Sequence, residues 1–362
     1  MGTVLHAMQP EIDWMGVVRS LPEPKDTGEP TPCSALSLHV QALTDLLQAG
    51  PTPVAGGERN ALDVLLDHER NYWRSTVGRD VGPLIADLSV LSDSVAATAL
   101  VKARDEREAI AILGRISSLD GVTVPELRRL ARVVRSLYPP DRGYWGMPQP
   151  DLLCDRLLAQ VSPETIVDLL RSIDRGQLER ALTTLYRAND QGGLDDLFGL
   201  LLVESDLADQ FAAVLSVGQV CQITNTATTD SPNLTRFSIA IADALLATPV
   251  SEEDEQTEEL ARLLNGHALR LGKVNRYEEE HEAYLRSTAI YESLLAAGDD
   301  ELITVVGAAL TYGNLSGCRA RRNDQLGAFT AIRRTVDILE YESIRTTSRN
   351  HRAHGRADRP SE

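Results

Sequence analysis

At 362 residues the chain is long enough for two or three domains or for one long helical array, and it needs no disulfide or metal staples to hold a core. Leu and Ala dominate, aromatics make up 4%, and long runs of Val, Ile, Thr and Tyr are missing, a composition that predicts an all-α fold. The net charge of −17 argues against a dedicated nucleic-acid binder, because an acidic body repels the phosphate backbone.

Taken from the N-terminus, residues 1–57 are broken by Pro10, Pro22, Pro24, Pro30, Pro32, Pro51 and Pro53 and read as a mostly disordered leader, with one short amphipathic stretch near 35–48. No apolar run reaches the ~20 residues that span a bilayer. The first residues, with Glu11, Asp13 and Trp14, lack a signal-type pattern. Cys33, Cys154, Cys221 and Cys318 lie far apart in sequence and read as reduced thiols, so a cytoplasmic protein with no membrane contact is expected.

From Glu58 onward, Leu62, Leu65, Leu66, Tyr72 and Trp73 mark one apolar helix face, while Asp67, Glu69 and Arg70 are expected to point to water. His68 and Glu69 are adjacent, about 100° apart on a helix, and so read as a solvated face and not as ligands of one ion. About five short helices follow between 81 and 158, with N-terminal caps expected at Ser92-Asp93, at Asp105 and at Thr123, the last with Glu126 three residues on. The loop from Tyr138 to Gly146 combines Pro and Gly stops with Tyr144 and Trp145, which predicts that it is anchored against neighbouring helices. Helices are then expected near 150–160, 163–172, 177–189, 194–203, 206–215 and 233–246, and residues 161–250 read as a helical array of α-solenoid type. The acidic run from Ser251 to Glu255 suits the start of another helix.

The segment 251–342 repeats itself. An offset of 48 residues lays Asn275 on Asn323, Ala283 on Ala331, Arg286 on Arg334, Ile290 on Ile338 and Glu292 on Glu340. Each copy reads as a helical hairpin that cannot bury its own apolar face, so the copies are expected to stack and share a core. Beyond them, residues 343–362 carry five Arg against Asp358 and Glu362, a charge of +3 that leaves −20 for the rest, and read as a disordered basic tail.

Three of these segments carry a family resemblance. Leu65-Leu66-Asp67-His68-Glu69-Arg70-Asn71-Tyr72-Trp73 resembles a helix that follows the nucleotide-binding core in actinobacterial signal-transduction ATPases of the STAND class. Leu137-Tyr138-Pro139 with Tyr144-Trp145-Gly146 and Gln149-Pro150-Asp151-Leu152-Leu153 resembles a second segment of those proteins, and the 48-residue pair resembles the tetratricopeptide repeats that close them. The resemblance covers residues 58–342 and implies a winged-helix-like remnant within 58–160 and two degenerate tetratricopeptide-like repeats in 251–342. The repeats depart from the pattern: His267 and Arg319 stand at Leu positions, and Glu280 replaces a small Ala. No phosphate-binding loop of the G-x-x-x-x-G-K-[ST] type occurs, since Gly272-Lys273 is followed by Val274, so the ATPase engine is not implied.

No nucleophile elbow, Cys–His signature or Gly-rich phosphate cradle is present, and the expectation is a protein that is not an enzyme and holds neither cofactor nor metal. His267 and His281, on consecutive helices, lack a well-spaced third ligand and read as repeat-core positions, while His351 and His354 read as solvated. Arg128, Arg132 and Arg135 share one stripe of a helix; in a winged helix that stripe would meet DNA, which makes a transcription regulator the alternative reading. On the first repeat, Arg262, Asn265, Leu269 and Lys273 fall on a stripe distinct from the packing stripe of Leu260, Leu264, Ala268 and Leu271. In tetratricopeptide folds that free face lines the concave groove, so Arg262, Asn265 and Lys273, with Arg321 from the next repeat, are the candidate partner-binding residues for a protein or an acidic, carboxylate-bearing peptide. The expected function is a non-catalytic interaction scaffold, a sensor or adaptor in bacterial signalling.

Overall fold

The computed structural model describes residues 61–76, 87–148, 151–171, 173–204, 206–226, 231–248, 257–299 and 301–357, together with Ala42, Thr44 and Asp45; residues 342–357 are described by their backbone alone. The fold is all-α, and no strand occurs among the described residues. No helix among them is long and apolar enough to cross a membrane. The chain divides into two compact units, one of residues 1–173 with 191–193 and one of 174–190 with 194–362. The leader expected to be disordered lies outside the described residues, apart from the helical positions 42, 44 and 45; Thr44 is buried and its hydroxyl donates to the Ala61 carbonyl at 3.2 Å.

The first unit contains α1 (Ala61–Thr76), α2 (Leu88–Leu100), α3 (Glu106–Leu113), α4 (Val124–Leu137), α5 (Asp151–Leu158) and α6 (Pro163–Leu170). Helix α2 begins at Asp87, whose carboxylate accepts from the Ser89 N–H at 2.9 Å. Ser92 and Asp93, expected as a cap, lie inside it, because the buried run Val90, Leu91, Val95 continues straight through them and outweighs their capping preference. Asp105 caps α3 by accepting from the Glu108 N–H at 2.9 Å, and the Glu126 carboxylate accepts from the Thr123 N–H and hydroxyl at 3.0 and 2.7 Å at the start of α4.

The loop after α4 is anchored by its aromatics. Tyr144 and Trp145 are buried, the Trp145 indole donates to the Val101 carbonyl at 3.0 Å, and the Tyr144 N–H donates to the Ala103 carbonyl at 2.8 Å. Gly143 sits at φ +85, and a Cβ there would come within 2.9 Å of the Ala103 oxygen, so only glycine allows this approach. The same loop corrects the expectation that Glu69 and its neighbours point to water. Residues 67–70 are only partly exposed, and Glu69 accepts a hydrogen bond from Tyr138 at 2.7 Å while Tyr138 accepts one from the Trp73 indole at 2.7 Å. Burial pushes the Glu69 carboxyl above its usual range against the pull of those bonds, and burial lowers His68. Arg156 on α5 ties back to α1 through a forked pair with Asp63, at 2.7 and 2.9 Å.

The second unit contains α7 (Arg175–Ala188), α8 (Asp195–Val203), α9 (Leu207–Val214), α10 (Val217–Thr224), α11 (Pro232–Ala247), α12 (Glu258–Lys273), α13 (Tyr277–Ala296), α14 (Leu302–Arg321) and α15 (Gln325–Ala357). Its first half is built around three phenylalanines: Phe198 meets Tyr186 and Phe237 at 5.5 and 5.7 Å, Phe211 meets Phe237 at 6.3 Å, and the Tyr186 and Ser238 hydroxyls are 3.0 Å apart. Helix α10 falls outside the helices expected from the sequence, and Val217, Val220, Ile223 and Thr224 are poor helix formers. A capping box of Ser216 with Gln219 and burial of Val220, Cys221 and Ile223 override that preference.

The hairpins α12–α13 and α14–α15 repeat each other's bonding at the 48-residue offset. Asn275 and Asn323 turn each hairpin in the left-handed region, at φ 63 and 61. The Ser287 hydroxyl donates to the Ala261 carbonyl at 2.7 Å, and Thr335, 48 residues on, donates to the Ala309 carbonyl at 3.2 Å. Ala283 and Ala331 are both buried in one cluster with Ala268, Leu271, Leu315 and Cys318. Helix α15 then runs on to Ala357, through most of the stretch for which composition predicts a disordered tail. Adding residues to a helix already nucleated by packing requires only weak propensity, and the tail contains no Pro before position 360.

Ala331→Arg places an unpaired charge in this shared cluster and is expected to destabilise the C-terminal hairpins by about 3–5 kcal/mol. Chemical denaturation followed by circular dichroism measures it; an unchanged midpoint would contradict the shared core.

Candidate functional site

The candidate residues sit on helices whose register is fixed by burial. Thr257 caps α12, accepting from the Leu260 N–H at 3.3 Å, and Leu260, Leu264, Ala268 and Leu271 face the core. The second stripe does not act as one surface. Arg262 turns back to Glu258, four residues earlier, at 3.4 Å. The Asn265 side-chain carbonyl accepts from the Asn314 amide at 3.1 Å, so Asn265 joins α12 to α14. Only Lys273 and Arg321 meet in one depression, a groove of about 420 Å³ between α12, α13 and α14, which Leu269, Gly272, Tyr277, Glu280 and Asn314 also line. Two of the four candidates therefore converge, a third buttresses the groove through Asn314, and Arg262 stands apart.

Glu280 is the residue that sequence reasoning noted only as a departure. It is 1% exposed, and its Oε1 pairs with the Arg321 guanidinium while its Oε2 has no hydrogen-bond partner. Room for a carboxylate at a small-residue position comes from Gly272, where a Cβ would lie 2.8 Å from Glu280 Oε1. The corresponding positions in the second hairpin are Ala320 and Ala328, so the Gly–Glu combination stands where the second hairpin has Ala–Ala. Burial pushes the Glu280 carboxyl above its usual range, and Arg321 pulls it back. The adjacent Cys318 thiol is pushed up to about 11 by burial and by the Glu280 charge. The signal in the sequence is the i, i+8 pair Gly272 and Glu280, legible only once the hairpin turn is placed.

A second ionic clamp holds the hairpins at their spacing. Arg334 on α15 forks onto Glu292 of α13 with both contacts at 2.8 Å, and Tyr312 of α14 donates to the same carboxylate at 2.9 Å. The Arg334 hydrogen bonds hold the Glu292 carboxyl below its usual range in spite of burial. His267 is buried in the repeat and bonds Asp243 of α11 at 3.0 Å; burial pushes the Asp243 carboxyl up, but the bonds from His267 and Arg276 outweigh it and hold the group low. His281 is partly exposed beside Arg322 and Glu278, and no group of three His, Cys, Asp or Glu among the described residues is arranged to hold a metal ion.

In the first unit, the arginine stripe of α4 is engaged. Arg132 and Arg128 face Glu106 of α3 at 2.7 and 3.7 Å, and the Arg135 guanidinium lies over the Tyr144 ring at 4.9 Å from its centre. These side chains are exposed, yet their charge is offset locally. No family model matches the chain, nor does any curated protein or solved structure.

Arg321→Ala leaves the Glu280 carboxylate buried without its cation. A carboxyl whose folded pKa is raised loses no stability while both states are protonated, below about 4.5, and loses it as pH rises through the folded value. The substitution is therefore expected to be nearly silent near pH 4 and to cost about 2 kcal/mol at pH 7, less than a fully buried pair because Arg321 is half exposed. Denaturant midpoints across that range test it, with Glu280→Gln added to abolish the pH dependence; a loss equal at both ends would contradict a charged Glu280.

Proposed function

We propose that this chain is a non-catalytic interaction scaffold, a sensor or adaptor arm in bacterial signalling, and that it holds a peptide segment in the groove between α12, α13 and α14. The observation that carries the reading is the placement of Lys273 and Arg321 in one depression whose wall also carries Tyr277 and Asn314, with Gly313 giving open space along α14. Such a wall presents the Asn314 amide and the Arg321 guanidinium, beside the Lys273 side chain and the Tyr277 ring whose hydroxyl donates to Asn275, to an extended backbone and its carboxylates. The Arg321 guanidinium has five N–H donors and Glu280 takes its Nη2, so the group stays oriented while most of its donors remain for a ligand. The likeness to the C-terminal arms of STAND-class ATPases supports the same reading, and these 362 residues carry no phosphate-binding loop of that class. Cys154, Cys221 and Cys318 are buried and form no disulfide among the described residues, which favours a reducing compartment such as the cytoplasm. DNA contact through Arg128, Arg132 and Arg135 has less support, because Glu106 and Tyr144 already engage those side chains.

Peptides selected against the full chain from a random display library are expected to be enriched in Asp and Glu. Lys273→Glu with Arg321→Glu should weaken them at least tenfold, roughly 1.4 kcal/mol, and flatten the salt dependence. Selected peptides that bind both forms equally would place the site elsewhere.

A further inference from the structure

Among the described residues, the second hairpin presents a face whose equivalent on the first hairpin is covered. Tyr284, Thr288 and Tyr291 on α13 are 1%, 5% and 1% exposed, because α14 packs over them. Their counterparts 48 residues on, Ile332, Val336 and Leu339 on α15, are 44%, 47% and 47% exposed. Phe329 extends the same stripe and is exposed, whereas the chain's other three phenylalanines form the core of α8, α9 and α11. On α14, Val306 and Leu310 are exposed too, and Gly313 stands 48 residues after Asn265, the residue that bonds the next hairpin. With α15 these side chains give an exposed apolar surface of the kind that marks an interaction site.

We propose that this face is a self-association surface, on which α15 packs antiparallel against α15 of a second copy of the chain. The occupant must be a helix, since the stripe Phe329, Ile332, Val336, Leu339 has the alternating three- and four-residue spacing of a helix–helix seam and its counterpart on α13 is covered by one. Charge selects the second copy and the direction. In the preceding repeat, Glu292 grips an arginine of the following hairpin; its counterpart 48 residues on, Glu340, is exposed and can take a cation from a helix that docks there. Arg333 lies on the same edge of the stripe as Glu340, seven residues earlier, and is exposed as well. A two-fold axis near Val336 brings each Arg333 to the second copy's Glu340 and packs Ile332 of one copy beside Leu339 of the other. A parallel pair would separate those charges.

Sedimentation velocity of the full chain from about 1 to 100 μM is expected to show a concentration-dependent dimer. Val336→Asp, at an exposed position that leaves the fold's melt unchanged, should weaken it at least tenfold. Arg333→Glu alone and Glu340→Arg alone should each weaken it, and the two together should restore it. A wild-type chain that stays monomeric, a dimer indifferent to Val336→Asp, or single reversals that the double reversal does not rescue would overturn the proposal; a foreign helical peptide saturating the face of a monomeric chain would assign it to another partner.

Discussion

The constraint on which the C-terminal half depends is that a two-helix hairpin has more apolar surface than it can cover. Hairpin α12–α13 covers its outer face with α14, and the seam is drawn tight by small residues, Ala261, Ala268, Ala283, Ala308 and Ala331, all buried. The same requirement creates the groove, because the Asn265–Asn314 bond joins α12 to α14 while the Glu292–Arg334 clamp joins α13 to α15. Among the described residues it also leaves the outer face of α14–α15 exposed. Groove and exposed face are thus two results of one stacking rule.

Charge in this acidic chain is organised locally. Arg156 forks onto Asp63, Arg276 bridges Asp243 and Glu279, Arg334 forks onto Glu292, and Arg132 meets Glu106. With 53 acidic against 36 basic residues, a helical stripe of arginines finds carboxylates on its neighbours, and periodicity alone overstates how much basic surface survives. Arg262 illustrates it on one helix, taken by Glu258 a turn away. The hairpin geometry brings Lys273 and Arg321 to a common depression, with the buried Glu280 carboxylate beneath Arg321.

The all-α architecture, the anchored Tyr144–Trp145 loop and the 48-residue period were legible in the sequence, because each follows from composition or spacing that acts over many residues. What was not legible depends on which neighbour a side chain meets. Glu69 belongs by helical wheel to the wet face of α1, yet the loop carrying Tyr138 folds over it. Helix α10 contradicts its β-branched composition because burial of Val220 and Ile223 decides. Glu280 looked like a defect in a repeat, and only Gly272 opposite it shows that the carboxylate has a place.

The most direct test of the stacking rule is native-state hydrogen exchange on the full chain. If α12 to α14 share one core, the slowest amides of α12, α13 and α14 exchange with a single opening free energy, and Ala331→Gly lowers all three together. Fast exchange of α14 while α12 and α13 keep full protection would contradict it, showing hairpins that fold alone.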